Sequence, residues 1–287
     1  MNDYCLYEVN KQKKIATITF NRPEKLHAFA QPEMREIIAR LDEAEADDNV
    51  KVVIFKGSGK AFGGGYDVTQ LGPARGLVPG RRPSQRERLV SIKPDWWGHR
   101  GVLQKIVKCD KATIAQVHGY CYGGHFEIMV ACDLALASED AVFSHPGYRY
   151  VGPEGPIALY ILMMGIRRVK EMMLLGRPLT AKQALDFGLI NEVVPKDKLE
   201  EEATRWAETV AQLALDGIVV GKASFNLALD MLGVSAAYTS AWVTHAWMSN
   251  LKFEPGEFNL LKELKDKGKQ GAYAERDARD KTRRLRR

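Results

Sequence analysis

The spacing of apolar residues changes period several times along the chain. Residues 14–21 (KIATITFN) alternate apolar and polar positions with β-branched side chains and stop at Arg22-Pro23, which predicts a strand and its end. Residues 31–46 carry Met34, Ile37, Ile38, Leu41 and Ala44 at helical spacing. The run 50–56 (VKVVIFK), closed by Gly57-Ser58-Gly59, predicts a buried strand. A glycine loop, Gly63-Gly64-Gly65, follows it. Residues 72–100, rich in Gly, Pro and Arg, predict a long irregular insertion. Loops of that length are commonly functional lids or disordered.

Beyond the insertion, residues 101–108 predict a helix and 113–117 (TIAQV) a strand that breaks at His118-Gly119. Gly123-Gly124 opens an apolar helix through Phe126, Met129, Val130 and Cys132. Residues 134–137 and 141–144 predict short strands. Helices are expected at 157–164, 168–175, 180–187 and 197–214, then onward to about 249, with another near 257–267. A front half that alternates strand and helix, with a helical back half, predicts one continuous α/β fold. There is no internal repeat.

Composition keeps this picture within the globular class. Of 287 residues, 45% are apolar and 27% charged. The formal net charge of +6 owes much to Lys281, Arg283, Arg284, Arg286 and Arg287, which read as a solvated tail. No basic patch interleaved with aromatics occurs elsewhere, so nucleic acid is not an expected partner and an RNA-binding reading ranks last. The basic run from Arg75 to Arg88 faces either an anionic ligand or water. Cys5, Cys109, Cys121 and Cys132 form no C-x-x-C pair, which fits reduced thiols in a cytoplasm. The first ten residues lack the basic and apolar regions of a signal peptide. No run approaches the ~20 apolar residues of a membrane span.

The two glycine clusters carry the chemistry. Each sits between a strand and a helix, where glycine lets backbone approach a ligand and the helix N-terminus favours negative charge. Two such loops could aim two N–H groups at one oxygen, an oxyanion hole worth about 3–4 kcal/mol per donor in a dry site; the plainer reading is two tight turns without a ligand. Neither loop has the dinucleotide or the phosphate-loop pattern, and no histidine or cysteine spacing implies a metal.

The order ITFNRPEKLHAF, KAFGGGYD, ATIAQVHGYCYGGHFEIMVACDLALAS and LLGRPLTAKQALDFGLINEVVP is similar to the enoyl-CoA hydratase/isomerase family, the crotonase superfamily, over roughly residues 10–215. The resemblance implies a crotonase-like ββα spiral core with its CoA site in 1–200. It also implies a helical C-terminal trimerisation region with a basic tail in 201–287. The expected assembly is a homotrimer or a dimer of trimers, and the expected partner is an acyl-CoA thioester, with CoA part of the substrate and no separate cofactor. The oxyanion-hole amides would be those of Tyr66 and Gly124. Gly64, Gly65, Asp67 and Gly123 would flank them. Arg22, Lys25, Leu26 and Ala28 would line the nucleotide side, with His27 standing where relatives often carry asparagine.

Hydratases of the family use two glutamates. The first matches Glu127. The second would fall at Gly147, in Phe143-Ser144-His145-Pro146-Gly147, so the acid is missing. Glu154, in a Pro/Gly turn, and His145, whose pKa lies naturally near neutrality, are the candidate substitutes. Tyr120, Tyr122, Tyr148 and Tyr150 read either as aromatics around the acyl pocket or as ordinary core packing, and Trp96-Trp97, by position alone, could cap the acyl end. His118 and His125 read as structural. The loss leaves open a hydratase, an isomerase, a C–C bond hydrolase acting on a cyclic thioester, or a scaffold without catalysis.

Overall fold

The computed structural model describes residues 4–67, 84–92, 101–149, 155–248 and 252–280. Glu154, Tyr150, Trp96-Trp97, the basic run up to residue 83 and the tail 281–287 lie outside the described residues.

Strands β1 (Cys5–Asn10) and β2 (Ile15–Phe20) form an antiparallel hairpin, Cys5 facing Phe20 and Asn10 facing Ile15. Lys14 takes a left-handed φ of 58° at the turn. From β2 onward the pairing is parallel, through β3 (Val52–Gly57), β4 (Ala112–Val117), β6 (Leu134–Ser138) and β9 (Glu192–Val194), giving the order β1-β2-β3-β4-β6-β9. Parallel sheets are buried on both faces, and the period-two alternation of strands distributes the apolar residues accordingly. Val53 and Phe55 enter one core with Ile18, Phe20, Ala115 and Val117. Val52 and Ile54 enter a second, with Ile15, Ile114 and Leu136.

Helices cover each face. The first core is closed by α1 (Gln31–Ala46), whose Met34, Ile37, Leu41 and Ala44 are buried as the spacing requires. With it lie α3 (Val102–Val107) and α4 (Gly124–Ala131). The second core is closed by α8 (Leu199–Ala211) through Leu199, Ala207 and Ala211. Three glutamates in the first turn of α8, Glu200, Glu201 and Glu202, complement its positive end.

A small second sheet, β5 (Tyr120–Tyr122), β7 (Val142–Ser144) and β8 (Leu179–Thr180), stands beside the glycine loops, with β5 parallel to β7 and β7 antiparallel to β8. Helices α5 (Ile157–Met164) and α6 (Ile166–Leu175) follow β7, and α7 (Ala181–Asp186) opens on a Thr180–Gln183 capping box. The back half ends in α9 (Leu215–Met231), α10 (Val234–Met248) and α11 (Leu260–Ala278), the last kinked where Gly268 has φ 68°.

Two departures from the sequence reading have simple causes. Strands β1, β5, β8 and β9 were not predicted; three of them hold only two or three residues, too few to display a period. The insertion expected to be irregular contains α2 (Gln85–Ile92), docked where Trp242 Nε1 of α10 donates to the Leu89 carbonyl at 3.0 Å. Among the described residues no single helix is long and apolar enough to cross a membrane.

Candidate active site

The first glycine loop leaves β3 and runs between two neighbours. On one side Gly63 exchanges hydrogen bonds with β5: its N–H donates to the Tyr120 carbonyl at 2.8 Å and its carbonyl accepts from Tyr122 at 2.9 Å. On the other side lies the turn after β2. There Gly64 N–H donates to the Leu26 carbonyl at 2.7 Å and Phe29 N–H to the Gly65 carbonyl at 3.1 Å. Leu26 and His27 are both left-handed, at φ 49° and 57°. His27 is buried and supports that turn from both ring nitrogens. Nδ1 accepts from the Arg22 amide at 2.9 Å, which puts the proton on Nε2, 2.8 Å from the Ser58 carbonyl.

The two glycine loops touch. Gly65 sits at φ 93°, and a side chain there would lie 2.7 Å from the Tyr122 carbonyl and 3.3 Å from the backbone of Gly123 and Gly124. Only glycine meets both demands. Gly123 is tied to β7 by its N–H to the Ser144 carbonyl at 2.9 Å. Gly124 is the first residue of α4, so its amide has no acceptor within the helix. Tyr66 follows Gly65, and its ring lies against Gly124, edge-on to Phe29 at 5.1 Å.

Glu127 stands one turn inside α4 and is 1% exposed. Each of its oxygens is held. His145 Nε2 is 2.9 Å from Oε1, and the Tyr66 hydroxyl donates to Oε2. Gly155 approaches from the far side; a side chain there would strike both the Tyr160 hydroxyl and Glu127 Oε1. The Tyr160 ring packs against Phe126 at 5.5 Å and His145 at 5.7 Å. From α10, the buried Tyr238 hydroxyl is pushed far above its ordinary pKa by burial, and the Glu127 charge adds to that shift. A carboxylate placed this way, buried and with a hydrogen-bond partner on each oxygen, is positioned to take up and return a proton.

The predicted residues therefore separate into three groups. Glu127, His145, Tyr66, Gly65, Gly123 and Gly124 come together. Leu26, Ala28 and Gly64 border them, and Asp67 is anchored by its N–H to the Phe29 carbonyl at 2.9 Å. Lys25 is exposed on a 3-10 turn, whereas Arg22 is already engaged by Glu33 at 2.5 Å and by the Ala28 carbonyl at 3.1 Å. Gly147 opens a 3-10 turn, Gly147–Arg149, two residues past His145.

The expected tyrosine cluster takes a different form. Tyr120 and Tyr148 are each 49% exposed, and Tyr120 pairs with Tyr122 at the surface of β5. Among the described residues, Tyr66 bonds Glu127 directly and Tyr160 and Tyr238 are further phenols in its surroundings. No motif marks Tyr160, and Tyr66 draws notice in the sequence through its backbone alone. His118, read as structural, has Nε2 3.1 Å from the Gly59 carbonyl. Away from this site Glu45, Cys109 and Asp110 bring ligand-type atoms within 4.8 Å of one another, with Lys105 bound to Glu45.

The Enoyl-CoA hydratase/isomerase family model matches residues 10–270. A Mycobacterium tuberculosis protein named "Putative enoyl-CoA hydratase EchA13" is 30% identical over 260 residues, covering 85% of this chain and 80% of its own length. Among solved structures, an enoyl-CoA hydratase/isomerase from Xanthobacter autotrophicus Py2 superposes with a TM-score of 0.81 at 32% identity, covering 97% of this chain and 99% of that one. An enoyl-CoA hydratase from Mycobacterium smegmatis gives 0.81 at 25% identity, covering 96% and 93%. The fold is that of the crotonases, a mixed α/β core with C-terminal helices. The chain belongs to the enoyl-CoA hydratase/isomerase family and is an enzyme of that kind.

Proposed function

We propose that this enzyme binds an acyl-CoA thioester and stabilises an enolate-like oxyanion of it between the amides of Tyr66 and Gly124, with Glu127 as the principal general acid/base. The observation that carries this reading is the contact of Gly65 with Gly123 and Gly124, one turn from a buried Glu127. Donors on two abutting loops can converge on one oxygen, and they favour the charge that develops there over the ground-state carbonyl. Proton transfer by Glu127 at the adjacent carbon then forms or quenches the enolate.

The second proton-transfer group is assigned to His145 or Glu154. Two observations support His145: its hydrogen bond to Glu127 and its place two residues before Gly147. Because no carboxylate stands at Gly147, a second reading is an isomerase or a C–C bond hydrolase acting on a cyclic β-keto or enoyl thioester. A scaffold role without catalysis is the third. CoA enters as part of the substrate, with no further cofactor, along Arg22, Lys25, Leu26 and Ala28. Tyr148, exposed on the 3-10 turn after His145, is assigned to the acyl side.

The homotrimer or dimer of trimers that we propose would use α9 and its exit, where Val220, Phe225, Leu227, Met231 and Leu232 are all exposed. Val220, Leu227 and Met231 share one side of the helix and Phe225 and Leu232 another, and exposed apolar side chains grouped this way suit a protein contact. The four buried free thiols accord with the cytoplasmic location we assign.

The deciding experiment follows crotonyl-CoA hydration at the enoyl thioester absorbance for wild type and Glu127→Gln. Turnover in the wild type that is lost in the variant supports a hydratase built on one glutamate. Binding without turnover moves the assignment to the isomerase or C–C hydrolase, and cyclic β-keto acyl-CoA substrates are tried next. Undiminished activity in Glu127→Gln sinks the role given to Glu127.

A further inference from the structure

We propose that His125 is a positioning residue for the oxyanion hole: it clamps the first glycine loop to the helix that opens at the second. The inference rests on the oxyanion-hole reading above.

His125 lies in the first turn of α4, fully buried in a box of phenylalanines. Its ring is 4.9 Å from that of Phe20, 4.7 Å from Phe29 and 6.0 Å from Phe62. A residue needed only to fill that box would be apolar, because burying two ring nitrogens costs free energy unless both are hydrogen-bonded. Both are. The Gly65 N–H, which can only donate, points at Nδ1 at 3.0 Å. The imidazole proton is therefore on Nε2, and it faces the Tyr4 hydroxyl at 3.3 Å. Tyr4 in turn donates to the His27 carbonyl at 2.6 Å. The result is a directional chain from Gly65 through His125 and Tyr4 to His27.

The ends of this chain give it a function. Gly65 immediately precedes Tyr66, and His125 immediately follows Gly124. The single hydrogen bond thus joins the neighbours of the two amides assigned to the hole. Those amides must stand about 2.7–3.1 Å from one developing oxyanion, and a tether one residue from each fixes their separation. The loop is also shaped for the clamp. A side chain at Gly63 would lie 2.0 to 2.3 Å from the His125 ring, so glycine there makes the room that the imidazole occupies. At its far end the chain reaches His27, between Leu26 and Ala28, so the same tether secures the segment assigned to the CoA nucleotide.

The test compares full-length wild type with His125→Asn, His125→Leu and Tyr4→Phe. Asn keeps an acceptor near the position of Nδ1; Leu keeps volume without one. The direct readout is the carbonyl stretch of bound ¹³C=O butyryl-CoA, a saturated thioester that cannot be hydrated, measured by infrared difference spectroscopy. The wild type is expected to shift the band to lower frequency. His125→Leu loses that shift and His125→Asn retains most of it, with butyryl-CoA affinity within about threefold in both.

Where a reactive substrate is in hand, His125→Leu lowers kcat on the order of 100-fold with little change in KM, the scale expected when reacting groups are misplaced by an ångström. Should His125→Leu fail to fold, Tyr4→Phe breaks the chain from the other end and reduces the shift at nearly constant volume. Val52→Ala, in the core on the opposite face of the sheet, controls for lost stability; it lowers Tm and leaves the band where it was.

A wild-type band shift in both His125→Leu and Tyr4→Phe would overturn the clamp while leaving the oxyanion hole standing. Bound butyryl-CoA whose carbonyl is unshifted in the wild type would overturn the hole itself, and the clamp with it.

Discussion

The Tyr66 hydroxyl donates to Oε2 of Glu127, joining the first glycine loop to the helix that the second loop opens. Tyr66 thus offers its backbone amide to one end of the site and its side chain to the other. Oε1 of the same carboxylate is held by His145, so Glu127 has a donor on each oxygen and is fixed between them.

Tyr66→Phe tests the side chain apart from the amide. The backbone and the ring survive, and only the donor to Glu127 is lost. The expected outcome is a fall in kcat of about 10- to 100-fold, at the lower end of what a positioned proton-transfer network contributes. Affinity for butyryl-CoA stays within about threefold. Steady-state kinetics beside equilibrium titration separate the two effects, and unchanged kcat would remove the hydroxyl from the mechanism.

At His145 the prediction concerns stability first. His145→Leu leaves Oε1 of a buried carboxylate without its donor, which costs about 1–3 kcal/mol. His145→Gln can present an amide N–H to the same oxygen and recovers most of that loss. Urea denaturation of the two variants measures the difference; equal midpoints would mean that the hydrogen bond contributes nothing to folding.

Gly63→Ala drives a methyl group into the His125 ring. Overpacking of this kind costs about 1–3 kcal/mol, and the ring must move away from Gly65. The variant is therefore expected to lose activity under conditions where it remains folded. Pairing it with His125→Asn, a smaller side chain, should relieve part of the stability loss, and thermal unfolding of the single and double variants reads the coupling.

Acid should weaken the fold before the carboxylates titrate. Burial holds His125 well below the ordinary value of 6.5, and desolvation lowers His27 and His118 as well. The unfolded chain then binds more protons than the folded one once pH drops under about 6.5. This contribution to stability is complete above that pH and is lost progressively as pH falls toward the depressed folded values. Urea midpoints between pH 7.5 and 5 are expected to decline, and the slope should flatten in His125→Asn, which removes the largest contributor.

The exposed apolar residues of α9 yield a prediction about assembly. Phe225 is 72% and Met231 82% exposed in the single chain. Phe225→Glu together with Met231→Glu should shift the mass measured by light scattering from the oligomer to the monomer. An assembly that survives both charges would place the interface elsewhere.

The family and most of the longer elements were legible in the sequence alone. Gln31–Ala46 is a helix at the residues its apolar spacing marks, because Met34, Ile37, Leu41 and Ala44 repeat often enough to define one face. The strand–glycine–helix order likewise marked both loops and set Glu127 one turn into α4, since local backbone demands are written locally. Tertiary structure decided what meets what. Tyr66 and Glu127 lie 61 residues apart, and Gly65 and His125 60 apart; they meet because parallel strands β3 and β4 bring the two loops to the same end of the sheet. Two-residue strands such as β8, and the approach of Tyr160 to Glu127 beside Gly155, have no period or motif to announce them. They follow from the closing of the second sheet against the first, which depends on packing between elements that no local pattern records.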